Sequence, residues 1–338
     1  MDTPFLFMTR GDVALTPKAT VRPLTHMLAS ERQPLAAGCA PKVVASWPLT
    51  AAVTDHTLAI NKKERNMTDR LVALASGVHD GNPPEVSPAD MVRIASDAGY
   101  NSVGLWVAPG DNWHPSTAGE VAAALQETGL VALDVEVIWL QPGGKPDPLH
   151  HKIIAMGGEV GAKNCLIVSS EPDRDTTKHL FEDLCLHAER AGMRACLEYM
   201  AITEVKTLDD ALDVVNAVDH PAGGILVDPF HHERVGHHPE KIKEIPERWL
   251  SYAQLCDMPE RGVIIDADEY FVDAVDGRLA PGEGCIPLSA MTRALPTNLP
   301  ISLEIRSRFY REQYPDPVER ARVILERTRA FLSDMDND

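Results

Sequence analysis

A recurrence constrains this chain more than any other feature. Short apolar or β-branched runs begin near Leu71, Ser102, Val131, Asn164, Arg194, Gly223, Leu250 and Pro300; the first seven starts are 27 to 33 residues apart and the eighth follows after 50. The stretches between them carry helical signals. Ser87-Pro88-Ala89-Asp90 reads as an N-cap with proline at the first helical position, and Met91, Ile94, Ala95 and Ala98 then share a face before Gly99. Pro317 to Leu332 places Val318, Ala321, Ile324, Leu325 and Phe331 along a closing helix. Strands almost continuously apolar belong to a parallel sheet covered by helices on its faces. Eight such units predict a closed (β/α)8 barrel over residues 67–338. A doubly wound open sheet is the structural alternative, but no G-x-G-x-x-G follows the first run.

Composition agrees with one sizeable core. Of 338 residues, 44% are hydrophobic, 24% charged and 5% aromatic, which excludes collagen-like, disulfide-dense and wholly disordered chains. The formal charge of -18 repels nucleic acid and anionic membrane over most of the surface and favours a small-molecule partner. Six cysteines (Cys39, Cys165, Cys185, Cys196, Cys256, Cys285) form no C-x-x-C pair and read as reduced thiols of a cytoplasmic protein. No apolar run approaches the roughly 20 residues that span a bilayer.

Residues 1–66 follow different rules. They hold eight basic and five acidic side chains, a net of +3, whereas the remainder holds 24 basic and 45 acidic ones, a net of -21. Prolines at 4, 17, 23, 34, 41 and 48 interrupt any regular element, so this N-terminal extension is predicted to be poorly ordered. It reads either as a targeting segment or as sequence upstream of a translation start at Met67.

In a parallel barrel the carboxyl ends of the strands carry the chemistry. Four late runs each place an oxygen donor there: Glu198 in Cys196-Leu197-Glu198, Asp228 in Leu226-Val227-Asp228, Gln254 in Tyr252-Ala253-Gln254, and Glu304 in Ser302-Leu303-Glu304. Three carboxylates crowded in a low-dielectric mouth repel one another unless a cation joins them, and an all-oxygen set suits Mg2+ or Mn2+. His231, three residues after Asp228, is placed beside such a site, where it orients substrate or exchanges a proton. Its neighbours His232, His237 and His238 read as a solvated loop. Arg278 and the glycines of Arg278-Leu279-Ala280-Pro281-Gly282-Glu283-Gly284 offer either an anion-holding or polyhydroxyl-holding loop or a plain turn into a Pro287 to Leu295 helix. Trp106, Trp113 and Trp139 read as packing before they read as pocket walls.

With its LEYM, Asp228-x-x-His231, QLCD, Arg278 to Gly284 and SLEI elements, the sequence resembles the sugar phosphate isomerase/epimerase superfamily over residues 68–333. These are xylose isomerase-like TIM barrels, a group that also contains endonuclease IV. The resemblance implies a Mn2+ or Mg2+ site made by Glu198, Asp228, Gln254 and Glu304, with the two glutamates as base and acid on opposite faces of a polyhydroxylated carbonyl substrate. It also implies substrate contacts from Glu204 and His231, and association into homo-oligomers, for which the sequence carries no interface signature. The chemistry expected is enediolate formation, then isomerisation or epimerisation. One departure points elsewhere. Epimerases of the group carry His at the position of Gln254, and Gln there is similar to the 3-dehydroshikimate dehydratase branch, which makes His231 the base of a 3-dehydroshikimate dehydratase-like or inosose dehydratase-like lyase. An endonuclease IV-like reading needs several more histidines than His79, Trp106, Glu136 and Ser169 supply at the early strand ends, and a basic groove. A non-catalytic binding barrel is the remaining alternative.

Overall fold

The structure, a computed structural model, describes residues 70–75, 86–260, 262–264 and 266–337. The expectations for residues 1–66, for Met67 and for His79 lie outside the described residues.

Eight parallel strands alternate with helices: β1 (Val72–Leu74), α1 (Pro88–Ala98), β2 (Ser102–Trp106), α2 (Thr117–Thr128), β3 (Val131–Leu140), α3 (Pro148–Glu159), β4 (Asn164–Ser169), α4 (Arg174–Arg190), β5 (Arg194–Glu198), α5 (Leu208–Val218), β6 (Gly223–Leu226), α6 (Pro229–Arg234), β7 (Ala253–Leu255), α7 (Ala267–Asp276), α8 (Leu288–Ala294), β8 (Ile301–Leu303), α9 (Arg308–Gln313) and α10 (Pro317–Asn337). The strand order is β6-β5-β4-β3-β2-β1-β8-β7. β1 pairs with both β2 and β8, which joins the start of the barrel to its end. β6 and β7 meet through one isolated parallel bridge, Val227 with Ala253, and a hydrogen bond from Gln254 N to Val227 O of 2.9 Å. The result is a (β/α)8 TIM barrel, as the recurrence predicts.

Local chemistry explains the elements. The Ser87 side chain caps α1 by accepting from Asp90 N, and Gly99 ends the helix at φ 92°, a conformation that only glycine adopts freely. α1 buries Met91, Val92, Ala95 and Ala98, and the larger of these contribute about 1.5–3 kcal/mol each on full burial. Tyr100 OH donates to Ala321 O of α10, which fixes the closing helix against the first one. α10 buries Ala321, Ile324 and Leu325, while Val318 and Phe331 pack at its margin.

Three details differ from the sequence expectation. β7 starts at Ala253 rather than at Leu250, because a 3-10 turn, Glu247–Trp249, occupies the residues before it. The long interval before β8 contains a helix that periodicity did not indicate, α7, in addition to the expected α8. The closing helix continues past Leu332 to Asn337. Among the described residues no helix is long and apolar enough to cross a membrane.

Candidate active site

Side chains two apart on a strand share a face. Asp134 and Glu136 on β3, Cys196 and Glu198 on β5, and Ser302 on β8 with Glu304 just beyond it are therefore same-face pairs. Asp134, Glu136, Cys196, Glu198 and Ser302 are all buried, and burial, followed by the charges of Asp134, Cys196, Glu136 and Glu198, pushes the Tyr252 hydroxyl well above its ordinary range.

At the mouth, Glu198 ends β5, Asp228 caps α6 by accepting from Phe230 N at 2.8 Å, and Glu304 follows β8. One ligand atom from each of Glu198, Asp228 and His231 lies within 4.8 Å of the others. His231 Nε2 is 3.7 Å from Glu198 Oε1 and 3.7 Å from Asp228 Oδ2, and its Nδ1 is hydrogen-bonded to Tyr270 OH. Arg278 bridges the other two carboxylates: Nη1 donates to Asp228 Oδ2 at 2.6 Å and Nη2 lies 3.1 Å from Glu304 Oε2. Its guanidinium sits over the Phe230 ring, 4.8 Å from the centroid, and its Nε donates to Ala274 O.

The charges interact strongly. Burial, and then the like charges of Asp228 and Glu304, push the Glu198 carboxyl far above the usual carboxylate range. Burial pushes Glu304 up to about 7 against the pull of Arg278, with Glu136 adding to the rise. Burial opposes ionisation of Asp228 too, but Arg278 and His231 outweigh it and hold that carboxyl below its ordinary value. Burial drives His231 down to about 3, so its ring is neutral.

The donors fit a cation. Glu198 Oε1 and both side-chain atoms of Gln254 are buried without a hydrogen-bond partner, a costly condition for a carboxylate and an amide unless something else binds them. A hard divalent ion suits carboxylate and amide oxygens. Arg278 pairs with Asp228 and Glu304, although its single charge cannot balance both, and it leaves Glu198 Oε1 and the Gln254 amide unsatisfied.

Other expectations fare differently. Glu204 is not drawn into the cluster; its side chain is 45% exposed and pairs with Lys206 at 3.1 Å. The glycine loop does not present free N–H groups where the sequence offered them, because the Asp257 carboxylate accepts from Met258 N, Gly282 N and Ile286 N. A side chain at Gly284 would collide with that carboxylate and with Met258 O, so close approach demands glycine there. His232 is not solvated but fully buried: its Nε2 donates to His238 O at 2.9 Å, so its Nδ1 accepts from Tyr199 OH at 2.7 Å. Trp113 is buried in the core, and Trp139 donates to Ser170 Oγ at 2.8 Å.

Sequence reasoning missed Tyr270, Asp134 and the interior role of Glu136. The signal for the two acids was present, since Val131-Ala132-Leu133-Asp134-Val135-Glu136 places them two apart in an apolar strand. Tyr270 had none.

A family model described as the xylose isomerase-like TIM barrel matches residues 92–329, more than half of the chain. The chain belongs to this family. Within it, a 3-dehydroshikimate dehydratase of Pseudomonas putida is 30% identical over 134 residues, 37% of this chain and 20% of that protein. An inosose isomerase of Bacillus velezensis is 26% identical over 172 residues, 49% of this chain and 58% of that protein. The chain thus spans a fifth and somewhat over half of the lengths of these relatives. Among solved structures, the IOLI protein with a bound zinc atom superposes with a TM-score of 0.66 at 16% identity, covering 78% of this chain and 99% of that one. D-psicose 3-epimerase with D-tagatose, from Clostridium cellulolyticum H10, gives a TM-score of 0.58 at 14% identity, covering 78% and 99%. The family's relatives here are therefore isomerases, epimerases and a dehydratase.

Proposed function

We propose that this barrel is a metal-dependent isomerase or epimerase that forms an enediolate-type intermediate from a polyhydroxylated carbonyl compound. Residues 67–338 are its catalytic domain, and residues 1–66 are an extension outside it. The observation that carries the reading is that Glu198 Oε1, clustered with Asp228 and His231, and the side-chain amide of Gln254 on β7 are each buried without a hydrogen-bond partner. Glu198, Asp228, Gln254 and Glu304 would hold Mn2+ or Mg2+. When bound, such an ion supplies positive charge against the oxygen that becomes negative as the neighbouring C–H is broken. Glu198 and Glu304 take and return the proton on the two faces of the substrate. Arg278 keeps Asp228 and Glu304 oriented, and neutral His231, with Tyr270 behind it, binds a substrate hydroxyl. Glu204, at the rim, reaches substrate hydroxyls only if its pairing with Lys206 is exchanged.

A specific observation favours a second reading as a 3-dehydroshikimate dehydratase-like or inosose dehydratase-like lyase. Gln254 cannot exchange protons, which leaves His231, neutral and 3.7 Å from Glu198, as a base for β-hydroxyl loss. NMR of the Mg2+-loaded protein in D2O with ketoses, inosose and 3-dehydroshikimate separates the two. Solvent deuterium entering the substrate without loss of water is expected of the first reading, and an ultraviolet-absorbing enone or aromatic product of the second. Metal uptake with neither change across the panel would overturn both and leave a binding barrel.

A further inference from the structure

Two arginines act on the carboxylates of the mouth, and they are held differently. Arg278 is committed to the protein: Nη1 to Asp228, Nη2 to Glu304 and Nε to Ala274 O. Arg306 lies two residues beyond Glu304, and its backbone is pinned. Its carbonyl accepts from Arg278 N at 3.1 Å, Ile305 before it is buried, and Ser307 after it caps α9 by accepting from Tyr310 N. The side chain is partly buried, and the charges that act on its guanidinium are those of Glu304, Arg278, Glu136 and Arg311. Among the described residues, however, that guanidinium makes no hydrogen bond and no ion pair. Other arginines around it are paired: Arg234 with Asp273, and Arg308 and Arg311 with Asp276.

We propose that Arg306 is a specificity-determining residue that binds a carboxylate of the substrate, so that the substrate is a hydroxylated carbonyl compound carrying an acid group. This deepens the reading of the mouth as an isomerase or lyase site and rests on it. A guanidinium has five N–H donors in a planar fork, and holding it partly out of water without acceptors is unfavourable. Bracing the mouth does not require it, because Glu304 already has Arg278 at 3.1 Å and Arg306 pairs with neither Glu304 nor Glu136. What fits a pinned cation with an unused fork is a planar oxyanion bound through two parallel hydrogen bonds. A carboxylate suits the position better than a phosphate. Arg306 offers one positive charge, and with Glu304 and Glu136 nearby the second negative charge of a phosphate would go uncompensated.

The test is calorimetric titration of the Mg2+-loaded full chain with cyclohexane polyols that lack a carbonyl and so cannot react: myo-inositol, quinate and myo-inositol 1-phosphate. Wild type is expected to bind quinate about tenfold or more tighter than myo-inositol, and tighter than the phosphate. Arg306→Gln, folded by circular dichroism, is expected to bring quinate level with myo-inositol. Arg306→Lys keeps the charge without the fork and should retain part of the preference. Equal wild-type affinity for quinate and myo-inositol, absence of quinate binding, or a preference undiminished in Arg306→Gln overturns the proposal. Tighter binding of myo-inositol 1-phosphate than of quinate overturns the choice of carboxylate. None of these probes can form an enediolate, so the result is independent of the D2O experiment: a quinate preference without turnover of any panel member would leave the carboxylate site standing while both enzymatic readings fall.

Discussion

A guanidinium and a divalent cation answer the same electrostatic demand, and the mouth of this barrel contains the first while retaining donors for the second. Arg278 pairs with Asp228 and Glu304 with one charge for the two; it does not hydrogen-bond the partnerless oxygen of Glu198. Glu304→Gln removes one negative charge at nearly constant volume, so turnover is expected to fall by about a thousandfold or more while the far-ultraviolet circular dichroism is unchanged. Wild-type turnover in that variant would remove Glu304 from the chemistry. Tyr270→Phe probes the support behind His231. Loss of one buried hydrogen bond to Nδ1 frees the ring, and a roughly tenfold drop in kcat with little change in KM is expected. If the His231 base of a lyase is the correct assignment, His231→Ala costs far more than Tyr270→Phe; in an epimerase the glutamate pair retains the proton transfers.

At the scale of elements, the strands were readable because a parallel strand buried on both faces is almost uninterruptedly apolar, as in Asn164–Ser169, where every residue is buried. Glu198, Asp228, Gln254 and Glu304 were readable for the complementary reason: a polar side chain at the end of such a run stands out. α7 was not. Its apolar residues Phe271 and Val272 are exposed at 38% and 54%, and Tyr270 is the one side chain it buries fully, so apolar burial does not mark the segment. What seats α7 is charge: Arg308 Nη2 donates to Asp276 Oδ2 at 2.8 Å and Arg311 pairs with Oδ1, tying α7 to α9. Burial alone would raise the Asp276 carboxyl, but the two arginines outweigh it and hold it below the ordinary value. A depressed carboxyl stabilises the fold above its unfolded value of about 3.9, and that contribution disappears as pH falls through the lower folded value. Urea midpoints of wild type and Asp276→Asn should therefore differ at pH 6 and converge below about pH 4; a constant gap would contradict the pairing.

For the whole molecule, buried like charges are a standing liability that a bound ion relieves. Asp134, Glu136, Glu198, Asp228 and Glu304 lie close enough to act on one another, with Arg278 and Arg306 opposing them. Mn2+ at a hundredfold excess over its Kd should add about 2.7 kcal/mol to stability, seen as a rise of several degrees in Tm that a chelator reverses and that Glu198→Gln blunts. An unchanged Tm at saturating Mn2+ would contradict the mouth site. The fold itself needed no such detail to be recognised, because eight units of similar length around one core admit few other closures, whereas the reaction turns on which atoms face each other across the mouth.

The weak stitch between β6 and β7 has a mechanical meaning. Asp228 follows Val227 and Gln254 follows Ala253, so the lone bridge that zips the staves shut also sets the spacing of two donors. Any slackening of that joint would spread the two donors apart, and an ion clamped between them would act as a rivet that hoops the cask as it is bound.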